Sequence, residues 1–135
     1  MKIPGPDHPI TVEPNPGRVV ITFDGQTLAD SSRALTLKES NYSPVHYIPR
    51  TDVDMALLER TAHVTYCPYK GDAAYYSLRS DGRMAENAIW TYEAPYPAVA
   101  PIKDHLAFYP KQVDAIEERP ARAQGLRKKS PLLPR

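Results

Sequence analysis

The densest run of chemically capable side chains is Thr65-Tyr66-Cys67-Pro68-Tyr69-Lys70-Gly71-Asp72-Ala73-Ala74-Tyr75-Tyr76. On a strand, His63, Thr65 and Cys67 share one face while Val64 and Tyr66 share the other. Pro68 has no N–H to give to a ladder, and Gly71 supplies a permissive turn position. Lys70 then projects from that turn, three residues from Cys67. A nearby ammonium favours the thiolate and would make Cys67 a nucleophile. The same pair also reads as a core thiol beside a solvated or ion-paired lysine, because free cysteine is among the most buried residue types.

Two further segments carry candidate groups. Glu86, Ala88, Trp90 and Tyr92 fall on one face of an expected strand. A carboxylate beside two large aromatics with polar tips makes a pocket wall, or a core with Glu86 at the sheet rim. Glu39 continues the face of Leu35 and Leu37, so the pleat aims it inward. A buried carboxylate must be paired, and Arg33, Arg50 and Lys70 are the candidate partners. Tyr47 lies on the opposite face of its strand from His46. The catalytic candidates are therefore Glu39, Cys67 and Lys70. The ligand-binding candidates are Tyr47, Arg50, Tyr75, Glu86 and Trp90. Arg50 and Lys70 favour an anionic ligand, Tyr75 and Trp90 stack on a planar one, and Glu39 is the acid–base group. His8, His46, His63 and His105 form no metal-binding spacing; a site of His46, His63 and Glu39 would have to assemble in space. No glycine-rich phosphate loop and no G-x-S-x-G is present, so no cofactor is assigned.

Short strands must position these groups. Val19, Ile21 and Phe23 alternate over Arg18–Phe23, followed by the Asp24-Gly25 hairpin signal and a second strand over Gln26–Asp30. Further strands are expected at 33–39, 45–48, 63–67, 73–79, 86–92 and 106–109, with Asp81-Gly82 as a second hairpin turn. Thr51-Asp52-Val53-Asp54 has the form of a capping box and predicts one short helix, with Leu57 and Leu58 packing on an end of the sheet. A terminal helical turn is expected at 111–118. The fold class is mainly β: a single folded-over sheet or small barrel-like domain with one short helix.

Composition bounds the rest. The chain has 135 residues, one cysteine and a net charge of +1, which fits one domain without a disulfide framework or a multi-cysteine zinc module. No apolar run approaches a membrane span, and Met1–Pro6 lacks the apolar stretch of a secretory signal, so a cytoplasmic protein is expected. Five of the 15 prolines lie in residues 1–17, which read as an extended arm ahead of a β domain at 18–116. Residues 117–135 carry six basic groups against two acids, a balance of +4 that leaves −3 for the rest, and read as a mobile basic tail. The partners this allows are a small-molecule ligand and, through open strand edges, a second copy in a homodimer. A membrane is excluded and nucleic acid is not expected. The alternative function is a non-catalytic interaction module whose basic tail docks on an acidic protein or a nucleic acid.

Cys67-Pro68-Tyr69-Lys70-Gly71 with Tyr75-Tyr76, and Ile89-Trp90-Thr91-Tyr92-Glu93-Ala94-Pro95, resemble domain-of-unknown-function family 427. Gly5-Pro6-Asp7-His8-Pro9-Ile10, Tyr47-Ile48-Pro49-Arg50 and Phe108-Tyr109 match in the same order, so the resemblance covers about residues 5–116. It implies a compact, mostly β fold of the Mss4-like and sulfoxide-reductase-like kind, and no established activity. The family is sometimes labelled nucleotidyltransferase-like. Asp52-Val53-Asp54 spells D-x-D, but no Gly-Ser pair precedes it, and the single cysteine gives a sulfoxide reductase no resolving partner.

Overall fold

The two residues of the first hairpin set its geometry. Asp24 and Gly25 both hold positive φ, 51° and 74°, as a type I′ turn requires, and the strands they join run antiparallel. The computed structural model describes residues 1–121. Ten strands follow in order: β1 (Ile10–Pro14), β2 (Arg18–Phe23), β3 (Gln26–Ser31), β4 (Leu35–Glu39), β5 (Val45–Tyr47), β6 (Leu58–Cys67), β7 (Gly71–Arg79), β8 (Met84–Tyr92), β9 (Leu106–Phe108) and β10 (Ala115–Arg119). They form three antiparallel sheets, ordered β1-β4-β5, β10-β2-β3 and β6-β7-β8-β9. The protein is mainly β, and among the described residues the sheets do not close into a barrel.

Strands β7, β8 and β9 of the four-stranded sheet bury residues on both faces, while β6 is largely exposed. Tyr76, Leu78, Ile89 and Phe108 pack with Val19, Ile21 and Leu28 of the β10-β2-β3 sheet. Their opposite-facing neighbours Ala73, Tyr75, Tyr92 and Ala107 pack with Leu37 and Tyr47 of the β1-β4-β5 sheet. This explains why β7 and β8 read as dense apolar and aromatic runs rather than clean alternation. A backbone bridge between Ile48 and Leu106, with both N–H···O bonds at 2.8 Å, ties the first sheet to the third. Asn15 ties the first to the second by donating to Thr36 Oγ1 at 3.1 Å and Glu118 Oε1 at 3.2 Å.

Several expected elements differ. The helix expected after Pro49 is two separate 3-10 turns, Arg50–Asp52 and Met55–Leu57. Between them Val53 is extended and bridges Ala29, which stops an α-helix from propagating. Thr51 caps nothing and instead accepts from the Arg33 guanidinium at 2.6 Å, while Asp54 caps the second turn by accepting from the Ala56 N–H. Met55, Leu57 and Leu58 do pack on the larger core. The helical turn expected over 111–118 is a 3-10 turn at Pro110–Gln112 followed by β10, which pairs with β2. Asp81-Gly82 lies in a turn closed by Ser80 N–H to the Arg83 carbonyl at 2.9 Å, with neither residue at positive φ. The N-terminal arm contributes β1, which pairs with β4, and β10 takes up the first residues of the basic segment. The rest of the tail, residues 122–135, lies outside the described residues.

Gly71 opens β7 at φ +107°, a conformation L side chains rarely adopt, and an added Cβ would sit 3.4 Å from the Ala94 carbonyl oxygen. Gly25, at φ +74°, has open space around it. Gly25→Ala is expected to cost about 1 kcal/mol and Gly71→Ala more, measured as shifts in urea midpoint. Wild-type stability in Gly71→Ala would refute the assignment of strain to that turn.

Candidate functional site

Glu39 ends β4, and the pleat that buries Leu37 turns the carboxylate inward two residues later, to a side-chain exposure of 17%. Lys70 arrives from the β6–β7 turn. Its own N–H donates to the Cys67 carbonyl at 3.2 Å, and its carbonyl accepts from the Tyr96 N–H at 3.0 Å. These bonds fix the lysine at the base of its side chain, which is 10% exposed and donates from Nζ to Glu39 Oε1 at 2.5 Å. A third segment closes on the same carboxylate. His8 Nε2 lies 2.7 Å from Glu39 Oε2, and because the carboxylate accepts, that nitrogen carries the proton. The His8 ring stacks on Tyr69 with centroids 4.1 Å apart, and the Lys2 N–H donates to the Pro68 carbonyl at 2.7 Å. Burial pushes the Glu39 carboxyl up, but the bonds and charges of Lys70 and His8 outweigh it and hold it below the ordinary value of 4.5.

This pair stands at the edge of a cavity of about 280 Å³ whose other walls are largely aromatic. Tyr75, Trp90 and Tyr109 form one side, Tyr47 and Tyr92 another, and Tyr42 and Ser43 lie at the exposed rim. Trp90 Nε1 donates to the Tyr47 hydroxyl at 3.2 Å, and the Trp90 and Tyr109 rings lie 4.5 Å apart. The Tyr75 hydroxyl bonds Thr65 Oγ1 at 3.0 Å and the Tyr109 hydroxyl at 3.4 Å. Burial raises the Tyr47 and Tyr92 phenols well above their ordinary range. Burial, then the bond from Tyr75, pushes Tyr109 up to about 12. These three phenols are neutral near pH 7 and offer hydroxyls rather than charge.

Of the candidates read from the sequence, Glu39, Tyr47, Lys70, Tyr75 and Trp90 line one cavity. Cys67 is half-buried and packs against the same cluster, outside the lining, and the Lys70 ammonium is bonded to Glu39. Arg50 is on the other face of the sheet. It donates to the Tyr76 hydroxyl at 3.1 Å, and Tyr76 belongs to the larger core. Glu86 is exposed and lies outside the cavity lining, while Ala88 packs in the larger core instead of beside Trp90. Counting back from Trp90 by twos assumes an unbroken strand, whereas the register shifts between Tyr76–Ile89 and Leu78–Ala85, with Asn87 at φ 51°. His46 bonds Thr36 Oγ1 at 2.9 Å and lies 3.3 Å from Glu118, and the His63 ring packs on Tyr75, so neither joins Glu39. Asp52 is held by Ser31 and Arg33, and Asp54 by its cap, so the D-x-D pair is occupied locally. Among the described residues no cluster of three or more His, Cys, Asp or Glu is placed to hold a metal ion.

Sequence reasoning missed Tyr42, Ser43, Tyr109 and His8. His8 sits within the Gly5–Ile10 stretch that carries the family resemblance, and Tyr109 directly follows β9. Both signals existed, but only long-range pairing brings them to Glu39 and Trp90.

Two measurements test these assignments. Because the folded value of Glu39 is depressed, the stability it contributes is complete above its unfolded value and is lost as pH falls through the folded one. The melting-temperature gap between wild type and Glu39→Gln should therefore be widest near about pH 6 and shrink toward about pH 3; a constant gap refutes the carboxylate's role. Cys67 should react slowly with iodoacetamide in the native protein and readily in urea. Rapid native alkylation at neutral pH would restore it as a nucleophile.

Among the described residues no helix is long and apolar enough to cross a membrane. Comparison with curated proteins gave no match. A family model described as a domain of unknown function (DUF427) matches residues 11–119, from the second residue of β1 to the last of β10. That span holds β2 to β10, all of β1 but its first residue and all of the cavity lining, and the chain belongs to the domain-of-unknown-function family 427.

Proposed function

We propose that this domain binds a small, planar, polar molecule in the aromatic cavity, with Lys70 and Glu39 reading one edge of it. The observation that carries the proposal is an ion pair of a buried lysine with a half-buried glutamate at the edge of an otherwise aromatic hollow. Rings supply a large contact area with little entropy to lose, and a few fixed polar groups supply orientation. The cavity is at the small end for such sites, typically about 300 Å³ and upward, and suits a single ring system.

The ion pair also shapes the preference for charge. Lys70 is matched by Glu39, and Arg50 is on the far face, so no unbalanced cation waits for an anion there. A neutral edge that both accepts and donates, as a carboxamide does, can take a bond from Lys70 Nζ and give one to Glu39. A carboxylate would satisfy Lys70 but face Glu39 across the same site. Glu39, held ionised by Lys70 and His8, serves as a fixed acceptor. It is also where a base would stand if the bound molecule reacted, with His8 as its positioning partner.

Trp90 is the only tryptophan of the chain and lines the cavity, so its emission reports occupancy. Benzamide is expected to change that emission saturably in the millimolar range and to bind more tightly than benzoate. Lys70→Met and Glu39→Gln should each weaken benzamide about tenfold, the loss of one charge-assisted bond. Absence of a saturable response to benzamide, or a preference for benzoate, overturns this reading.

A further inference from the structure

A second hollow adjoins the first. It measures about 380 Å³ and shares Ser43, Val45 and Trp90 with the aromatic cavity. The two are neighbouring chambers with the Trp90 indole in their common wall. Their linings differ in kind. The second is built on Ile21 and Phe108, 1% and 4% exposed, and is flanked by Ile116, Pro44 and Pro110. His46 is its only titratable lining residue, and both ring nitrogens are engaged, Nδ1 with Thr36 and Nε2 with Glu118. The Lys70–Glu39 pair lies in the first chamber alone.

From this arrangement we infer that the site takes an amphipathic ligand: a planar polar head in the aromatic chamber, joined to an apolar tail in the second. The inference rests on the reading of the aromatic chamber as a ligand site and names the class of molecule it serves. Three observations favour a tail of the same ligand as the occupant of the second chamber. The chambers are contiguous through three shared residues. The exposed segment holding Ser43 and Pro44 borders both, so one entry serves both. The second chamber offers little that could hold a polar group, since its histidine is already bonded, and burial of methylenes is the main gain available there.

The test is a series of 4-alkylbenzamides, from methyl to butyl, titrated into the full chain and followed by Trp90 emission and calorimetry. Each methylene that enters the hollow should tighten binding roughly fourfold. A terminal hydroxyl on the tail should cancel the gain. Ile116→Glu places a carboxylate in the second chamber and should flatten the series. The readout is the ratio of butyl to unsubstituted affinity within each protein, so a general weakening of the variant cancels. Saturable benzamide binding with a flat alkyl series in wild type would leave the head site standing and overturn the amphipathic ligand. Failure of every member, benzamide included, would remove both readings together. A tail gain that appears only as a concentration-dependent dimer dissociates would assign the second chamber to another copy of the chain and overturn the inference.

Discussion

The Glu39 carboxylate is the group whose satisfaction the rest of the site depends on. It sits inside the fold because β4 must bury Leu37 and the pleat leaves no choice about the residue two positions on. A carboxylate there without partners costs several kcal/mol. Its two oxygens are answered by two segments on either side of it in the sequence, Lys70 from the β6–β7 turn and His8 from the N-terminal segment. Together with the Ile48–Leu106 bridge, this charge ties the first sheet to the third. It also holds the N-terminal residues against the turn, with the His8 ring stacked on Tyr69 beside the lysine.

The central sheet makes a site compatible with that constraint. Strands β7, β8 and β9, buried on both faces, supply two distinct interiors from one set of strands. On β7 and β8, cross-strand pairs alternate between them: Tyr76 with Ile89 faces the aliphatic core, and Tyr75 with Trp90 faces the cavity. The aliphatic side gives the sheet rigidity, and the aromatic side is free to be less completely filled. Hydroxyl and indole groups there bond one another, Trp90 to Tyr47 and Tyr75 to Tyr109, so the rings hold their positions without consuming the ion pair. A cavity built this way keeps its shape when empty, which lowers the ordering cost of binding.

Much of this was legible from local chemistry. The Asp24-Gly25 turn and the alternation that turns Glu39 inward follow from spacing, and charge names Arg33, Arg50 and Lys70 as its possible partners, of which the structure pairs Lys70. Legibility failed wherever the strand count slipped. The two extra positions at Asn87 put Ala88 in the larger core and leave Glu86 exposed beyond the cavity, and no residue type in Glu86-Asn87-Ala88 announces them. Arg50 failed differently: its turn follows β5, but the bridge from Ile48 to Leu106 carries the chain past the central sheet, where the guanidinium meets Tyr76. The helix expected after Pro49 lost to tertiary pairing, since the bridge between Val53 and Ala29 requires extended backbone where a helix would continue. His8 needed a contact spanning 31 residues, which spacing along the chain does not encode.

Stability alone is a weak reason for an ion pair to occupy this position. Burying two charges sets desolvation against attraction, and apolar residues of similar volume commonly do as well or better. In this fold such a replacement would continue the aromatic and aliphatic lining around Leu37 and Tyr92 and remove the polar edge of the cavity. What the pair supplies instead is a donor and an acceptor, held at fixed positions by a turn, a strand end and a stacked histidine, and facing a space that protein atoms do not fill. Fixed polar groups in a low-dielectric wall discriminate strongly, because a ligand that fails to match them leaves both unsatisfied. The polar edge therefore does more for recognition than for folding. That places the selectivity of the site in Lys70 and Glu39, and its contact area in the surrounding rings.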